Sequence, residues 1–177
     1  MLVGSRAWAA PISLTPVNTT CTTNINSNLD GAGVLAALQA CSWSVTGPLD
    51  LLYKAEVGAP VTESGTFASS YDTIFMNTSL DPQDATISYV QSPYMQCAGC
   101  YLVVKDGKQS PAQYFFDLSS WNGTDAIQLT GFWPQQGAIS NVAIWGHATA
   151  VPEPASLLLL GAGLSLLALY RRRQLAM

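Results

Sequence analysis

Residues 155–170 are sixteen consecutive positions without a charge, preceded by Pro152-Glu153-Pro154 and closed by Arg171-Arg172-Arg173. No other feature limits the fold as much, because a run this apolar has to be kept out of water. As a helix it spans about 24 Å at ~1.5 Å per residue, somewhat less than the ~30 Å hydrocarbon core of a bilayer. Local thinning and snorkelling of Arg171 make up the difference, and Tyr170 suits the headgroup level. A buried helix of a soluble domain is the competing reading for a run of this length, and the arginine cluster speaks against it. The positive-inside rule sets Arg171, Arg172 and Arg173 in the cytoplasm as a stop-transfer element, with residues 1–150 across the membrane. Pro152 and Pro154 cannot lie inside a helix, and each holds the residue before it extended. The Pro-Glu-Pro stretch is thus expected as an exposed strip just outside the membrane, open to an enzyme.

In that order and at that end of the chain, these residues closely resemble the PEP-CTERM sorting signal of Gram-negative bacteria, whose substrates are handled by exosortase; the resemblance covers residues 151–173. The same tail is also found as the C-terminal domain of some ice-binding proteins, a shared address that implies no ice-binding activity. What the resemblance implies is processing. Exosortases resemble membrane-embedded cysteine transpeptidases that cut near the Pro-Glu-Pro site and release the ectodomain or pass it to another acceptor, often in bacteria that make exopolysaccharide. By this resemblance Pro152, Glu153 and Pro154 are the recognised residues, and the catalytic residues belong to the partner enzyme. The ectodomain would sit in the periplasm, held to the inner membrane through residues 155–170, and after processing at the cell surface or outside the cell.

Ahead of the tail lie about 150 residues, enough for one domain with a substantial core. Charged residues make up only 10% of the chain, their place taken by neutral polar groups as in many secreted β-proteins. Over residues 7–150 three lysines face ten carboxylates, a net charge of −7. Nucleic acid is a poor partner for such a domain, since phosphate binding needs clustered Lys and Arg. Residues 1–20 read as the remnant of a signal peptide with its lead-in: Leu2, Val3 and Arg6 precede an Ala7-Trp8-Ala9-Ala10 stretch with an Ala-x-Ala cleavage pattern, which reads as a cleavage region expected to follow a longer leader. The exported domain is then residues 21–150 and the sorting signal residues 151–173.

Cys21, Cys41, Cys97 and Cys100 make an even number in a chain with an export address, which favours disulfides. The expected pairs are Cys21–Cys41 and Cys97–Cys100, out of three possible connectivities. The first closes a loop of about twenty residues, worth roughly 3 kcal/mol by chain entropy. Cys97-Ala98-Gly99-Cys100 also admits a thioredoxin-like redox pair or half of a zinc site. The redox motif belongs at a helix start, whereas the residues that follow it read as a strand. A zinc site lacks two suitably spaced ligands, His147 being the only histidine.

The pattern between residues 43 and 145 is short strands separated by turn signals. Segments 43–46, 49–57, 66–76, 85–90, 101–105, 113–118, 126–129 and 139–145 are rich in β-branched and aromatic residues with partial alternation. Gly47-Pro48, Asp81-Pro82, Asp106-Gly107 and Asn122-Gly123 punctuate them, and Asp106-Gly107 predicts a tight type I′ hairpin. Only residues 29–40 read as a helix. The expected fold is all-β: an antiparallel β-sandwich of about eight strands with one short helix near the N-terminus, plus a C-terminal transmembrane helix. Segments 51–56, 65–71, 100–107, 121–124 and 137–140 resemble the ectodomain of a recurrent group of PEP-CTERM proteins with no assigned activity, which supplies no catalytic residues.

Chemistry is thinly signalled. His147 has no nucleophile elbow to serve, no spacing singles out a carboxylate pair of glycosidase type, and no cofactor or metal motif stands out. Asp81, Asp84, Asp117 and Asp125 suit turns better than calcium. Asn18, Asn77 and Asn122 begin Asn-x-Ser/Thr triplets and are read as turn chemistry. Trp133, beside a turn, and Trp121 are the candidate stacking platforms for a glycan, against a default of core packing. Three functions follow: a non-enzymatic envelope or matrix protein sorted by exosortase, which is favoured; a carbohydrate-binding module for exopolysaccharide; and a secreted hydrolase.

Overall fold

The computed structural model describes residues 10–77, 81–106, 108–134 and 137–151. The expected transmembrane helix, the Pro-Glu-Pro stretch and the arginine cluster lie outside the described residues. Among those described, no helix is long and apolar enough to cross a membrane. The chain runs β1 (Ile12–Leu14), β2 (Thr22–Thr23), α1 (Gly31–Ala40), β3 (Asp50–Glu56), β4 (Thr62–Ser64), β5 (Tyr71–Met76), β6 (Asp84–Tyr89), β7 (Tyr94–Lys105), β8 (Gln113–Asp117), β9 (Ile127–Leu129) and β10 (Asn141–Val151). These build a four-stranded sheet, β1-β9-β6-β5, and a six-stranded sheet, β2-β8-β7-β10-β3-β4. The expected sandwich forms, with ten strands among the described residues where about eight were expected. Every pairing is antiparallel except β1 with β9, which is parallel. The lead-in before residue 21 therefore supplies an edge strand of the smaller sheet.

The larger sheet is covered on both faces. Successive side chains of a strand point to opposite sides, so Leu102, Val104, Val142 and Ile144 enter the core between the sheets, where they meet Phe116, Ile127 and Phe132. Val103 and Phe115 turn the other way and pack under α1 against Val34 and Leu38. Burial on both faces explains the unbroken Leu102-Val103-Val104 run, since neither set of side chains meets water. Val34 and Leu38 are fully buried, which is worth about 1.5–3 kcal/mol each.

Two devices seat α1. Asp30 is the N-cap and its Oδ1 accepts a hydrogen bond from Gly33 N at 2.8 Å. Gly31 lies so close to the preceding edge of β3 that a Cβ there would fall 2.0 Å from the Leu49 carbonyl oxygen. At the other end a disulfide joins Cys41, the C-cap, to Cys21 beside β2.

Several sequence expectations need correction. Residues 43–46 are not a strand, because Trp43 and Val45 pack beneath α1 and leave no backbone edge for a sheet. The β7–β8 hairpin exists, but its loop spans residues 106–112 in place of a two-residue turn, Lys105 opposite Gln113 being the last pair. The reason is Asp106, which is buried and whose carboxylate accepts from Lys108 N at 2.8 Å and Ala138 N at 2.9 Å. Strands β1, β2 and β4, of two or three residues, had no signal of their own.

Candidate functional site

Of the sorting residues, Pro152, Glu153, Pro154, Arg171, Arg172 and Arg173 all lie beyond the described chain. What the structure does place is the residue before them. β10 stays paired with β7 up to Val151, opposite Tyr94, so the sheet runs directly into the Pro-Glu-Pro stretch.

The four cysteines form the pairs Cys21–Cys41 and Cys97–Cys100. Cys97 and Cys100 sit inside β7, away from any helix start. Trp121 and Trp133 are not surface platforms: they are 4% and 8% exposed. Trp133 does lie in a turn, with φ +50°, yet the turn folds inward. Its indole N–H donates to the Pro111 carbonyl at 2.9 Å and its ring meets Tyr114 and Phe132. Trp121 donates to the Asp125 carbonyl at 2.8 Å and packs on Tyr71. His147 is exposed. Asp84, Asp117 and Asn122 serve turns and loops: Asp84 Oδ1 accepts from Gly131 N, Asp117 Oδ1 from Ser119 N, and Asn122 Oδ1 from Thr124 N and Asp125 N. No group of three or more potential metal ligands occurs among the described residues.

The structure adds a site that the sequence reading missed. A cleft of about 350 Å³ opens between the start of α1 and the outer face of the six-stranded sheet. Three cross-strand rows of side chains form its floor. Asn141, Lys105 and Gln113 stand side by side in one row; Lys54, Ala143 and Val103 form the next; Leu51 and Trp145 follow. Asn28, Leu29 and Asp30 close the rim beside α1. Polarity therefore changes along the cleft, from amides and an ammonium at one end to an indole at the other.

The two lysines differ. Lys54 is ion-paired with Glu56, two residues along the same face of β3. Lys105 is only 7% exposed, and its ammonium has no hydrogen bond or ion pair among the described residues. Burial pushes its pKa below the ordinary lysine value; Asp106 and Glu56 oppose that shift, and Lys54 adds to it. Of its neighbours, Gln113 is committed elsewhere, its Nε2 donating to the Ile25 and Ser27 carbonyls at 2.7 and 3.1 Å, while Asn141 Nδ2 makes only long contacts of 3.4 Å to Asn28 Oδ1 and to Ser140 Oγ. One signal in the sequence could have pointed here. Lys105 ends the run Tyr101-Leu102-Val103-Val104, and the two-residue period sets it on the same face as Val103, beneath whatever covers that valine.

Chemically, the cleft can hold a small ligand with a negative group at one end and an apolar face at the other. Its acids do not form a hydrolytic pair, because Asp30 caps α1 and Glu56, outside the lining, is held by Lys54.

Comparison with known proteins bears on the tail alone. Residues 150–174 match the family model of the PEP-CTERM protein-sorting motif. No curated protein and no solved structure matches the chain. The chain is a PEP-CTERM sorting domain-containing protein, with its sorting motif at residues 150–174.

Proposed function

We propose that this is an exported protein of a Gram-negative bacterium that exosortase processes at Pro152-Glu153-Pro154, releasing the β-sandwich to act without catalysis in the envelope or extracellular matrix. The observation that carries the proposal is the sorting motif at residues 150–174. The order of its parts supports membrane insertion of residues 155–170 with Arg171, Arg172 and Arg173 in the cytoplasm. Two disulfides in a domain of this size suit the oxidising side of that membrane. The carboxylate in the lining of the cleft, Asp30, caps α1, which favours a binding or structural role there over a hydrolytic one.

The test is to express the chain behind a secretory leader in its host, with and without exosortase, beside a variant carrying Pro152→Ala, Glu153→Ala and Pro154→Ala. A shortened, released ectodomain is expected only when both enzyme and motif are intact. Full-length protein held in the inner membrane in every strain would make the tail a permanent anchor and remove the proposal.

A further inference from the structure

We propose that the cleft beneath the start of α1 binds a small sugar acid, its carboxylate paired with Lys105 and its ring lying against Trp145. This inference stands independently of the sorting reading, since it concerns only the folded domain.

Lys105 is the first ground. Its side chain lies low in the cleft between Asn141 and Gln113, with no hydrogen bond or ion pair among the described residues, and the carboxylates of Asp106 and Glu56, near enough to oppose the effect of burial on it, are held by Lys108 N and Ala138 N and by Lys54. Lys54, in the adjoining row, is already neutralised by Glu56. A ligand carboxylate would supply the missing partner for Lys105 and reverse the effect that burial has on its pKa.

The other end of the cleft says that the ligand is more than an anion. Trp145 is half-buried, so part of it stays accessible, and its ring edge lies 3.5 Å from where a Gly31 Cβ would be. Ala143, between Lys54 and Val103 in the register, leaves a space that a larger side chain would fill. Asn141, whose Nδ2 makes long 3.4 Å contacts to Asn28 Oδ1 and Ser140 Oγ, and the exposed Asn28 offer amides to hydroxyl groups. Asp30 at the rim, whose Oδ1 accepts from Gly33 N, has a second carboxylate oxygen that can accept from a hydroxyl. The volume is at the lower end of the range for small-ligand pockets. A hydroxylated ring with one carboxylate satisfies all of these groups together.

The experiment is calorimetric titration and nitrogen–proton NMR on the full chain in mild detergent, with sodium D-glucuronate as the probe. D-glucose, acetate and inorganic phosphate serve as comparators. Glucuronate is expected to bind in the millimolar range and to shift the Trp145 indole N–H, with each comparator weaker by about tenfold or more, the scale of one charge-assisted hydrogen bond. Lys105→Met should lose at least that factor while its thermal midpoint holds or rises. Ala143→Leu, which fills the cleft and leaves every charge in place, should abolish binding. A linear uronate oligomer that binds more tightly than the monomer would assign the ligand to a polymer, and equal binding would assign a free or terminal sugar acid. Unchanged affinity in Lys105→Met, equal binding of glucose or phosphate, or shifts confined to residues outside the cleft would each overturn the proposal.

Discussion

Tyr71 shows how much of the sandwich depends on one side chain. Its ring touches Tyr53, Tyr89 and Trp121 in the core, while its hydroxyl donates to the Gly123 carbonyl at 2.7 Å and accepts from Met95 N at 2.8 Å. Gly123, at φ +82°, is bound to be glycine, because a Cβ there would meet the Met95 carbonyl oxygen at 1.9 Å. Tyr71→Phe preserves the packing and leaves a buried amide and carbonyl short of a partner. A loss of about 1–3 kcal/mol is expected in urea unfolding. The same burial pushes the Tyr71 pKa up from 10.0 to about 12, and burial with a bond to Glu63 pushes Tyr53 higher still. A phenol with a raised folded pKa contributes stability that is complete below its unfolded value and lost as pH climbs through the folded one. Stability should therefore fall between pH 10 and 12, and by less in Tyr71→Phe. Lys105 has the opposite sign. Its folded pKa is lowered, so the cost of burying the ammonium is complete below that pKa and fades as pH approaches 10.5. The stability advantage expected of Lys105→Met should shrink on the same approach, measured by urea midpoints along a pH series below the tyrosine range.

At the scale of elements, α1 is the piece that makes the cleft, and the disulfide Cys21–Cys41 holds its far end. The bond closes a separation of 20 residues that contains β2 and the whole helix. Cys21→Ser with Cys41→Ser is expected to cost roughly 3 kcal/mol and to raise hydrogen exchange in α1 first. Cys97–Cys100 spans only 3 residues inside one strand, so its removal should cost much less. The helix was legible as residues 29–40, with Val34 and Leu38, four residues apart, on its buried face; its start was misplaced by two residues because Asp30 was not recognised as the cap. The long central strands were legible from β-branched runs. Their true lengths were not, since β7 reaches back to Tyr94 only by pairing with the end of β10. Segment 43–46 has a strand's alternation, but that alternation faces a helix, a distinction that only tertiary packing makes. Trp133 failed for a related reason: proximity to a turn suggested exposure, while its positive φ turns the indole inward onto Tyr114. The cleft was hidden because it takes residues from four strands and the approach to α1, brought together by register alone.

For the whole molecule, the question is how a folded sandwich meets a membrane-embedded enzyme. The last paired residue of β10 is Val151, and only Pro152, Glu153 and Pro154 separate it from the apolar run. Three extended residues reach at most ~10 Å, so on the proposed topology the sandwich stands almost on the lipid surface. An enzyme that recognises the motif must then either work against the face of the domain or catch it when the end of β10 parts from β7. The far end of β10 is the part most open to such fraying, because beyond Gly146 it loses β3 and keeps only β7 as a neighbour. A short Gly-Ser insertion between Val151 and Pro152 would lift the motif clear of the sheet without touching either. Pulse–chase labelling in the host should show faster release of the ectodomain from the inserted chain than from the natural one. Equal rates would mean that recognition is confined to the motif and the membrane segment, and that the fold imposes no constraint on its own processing.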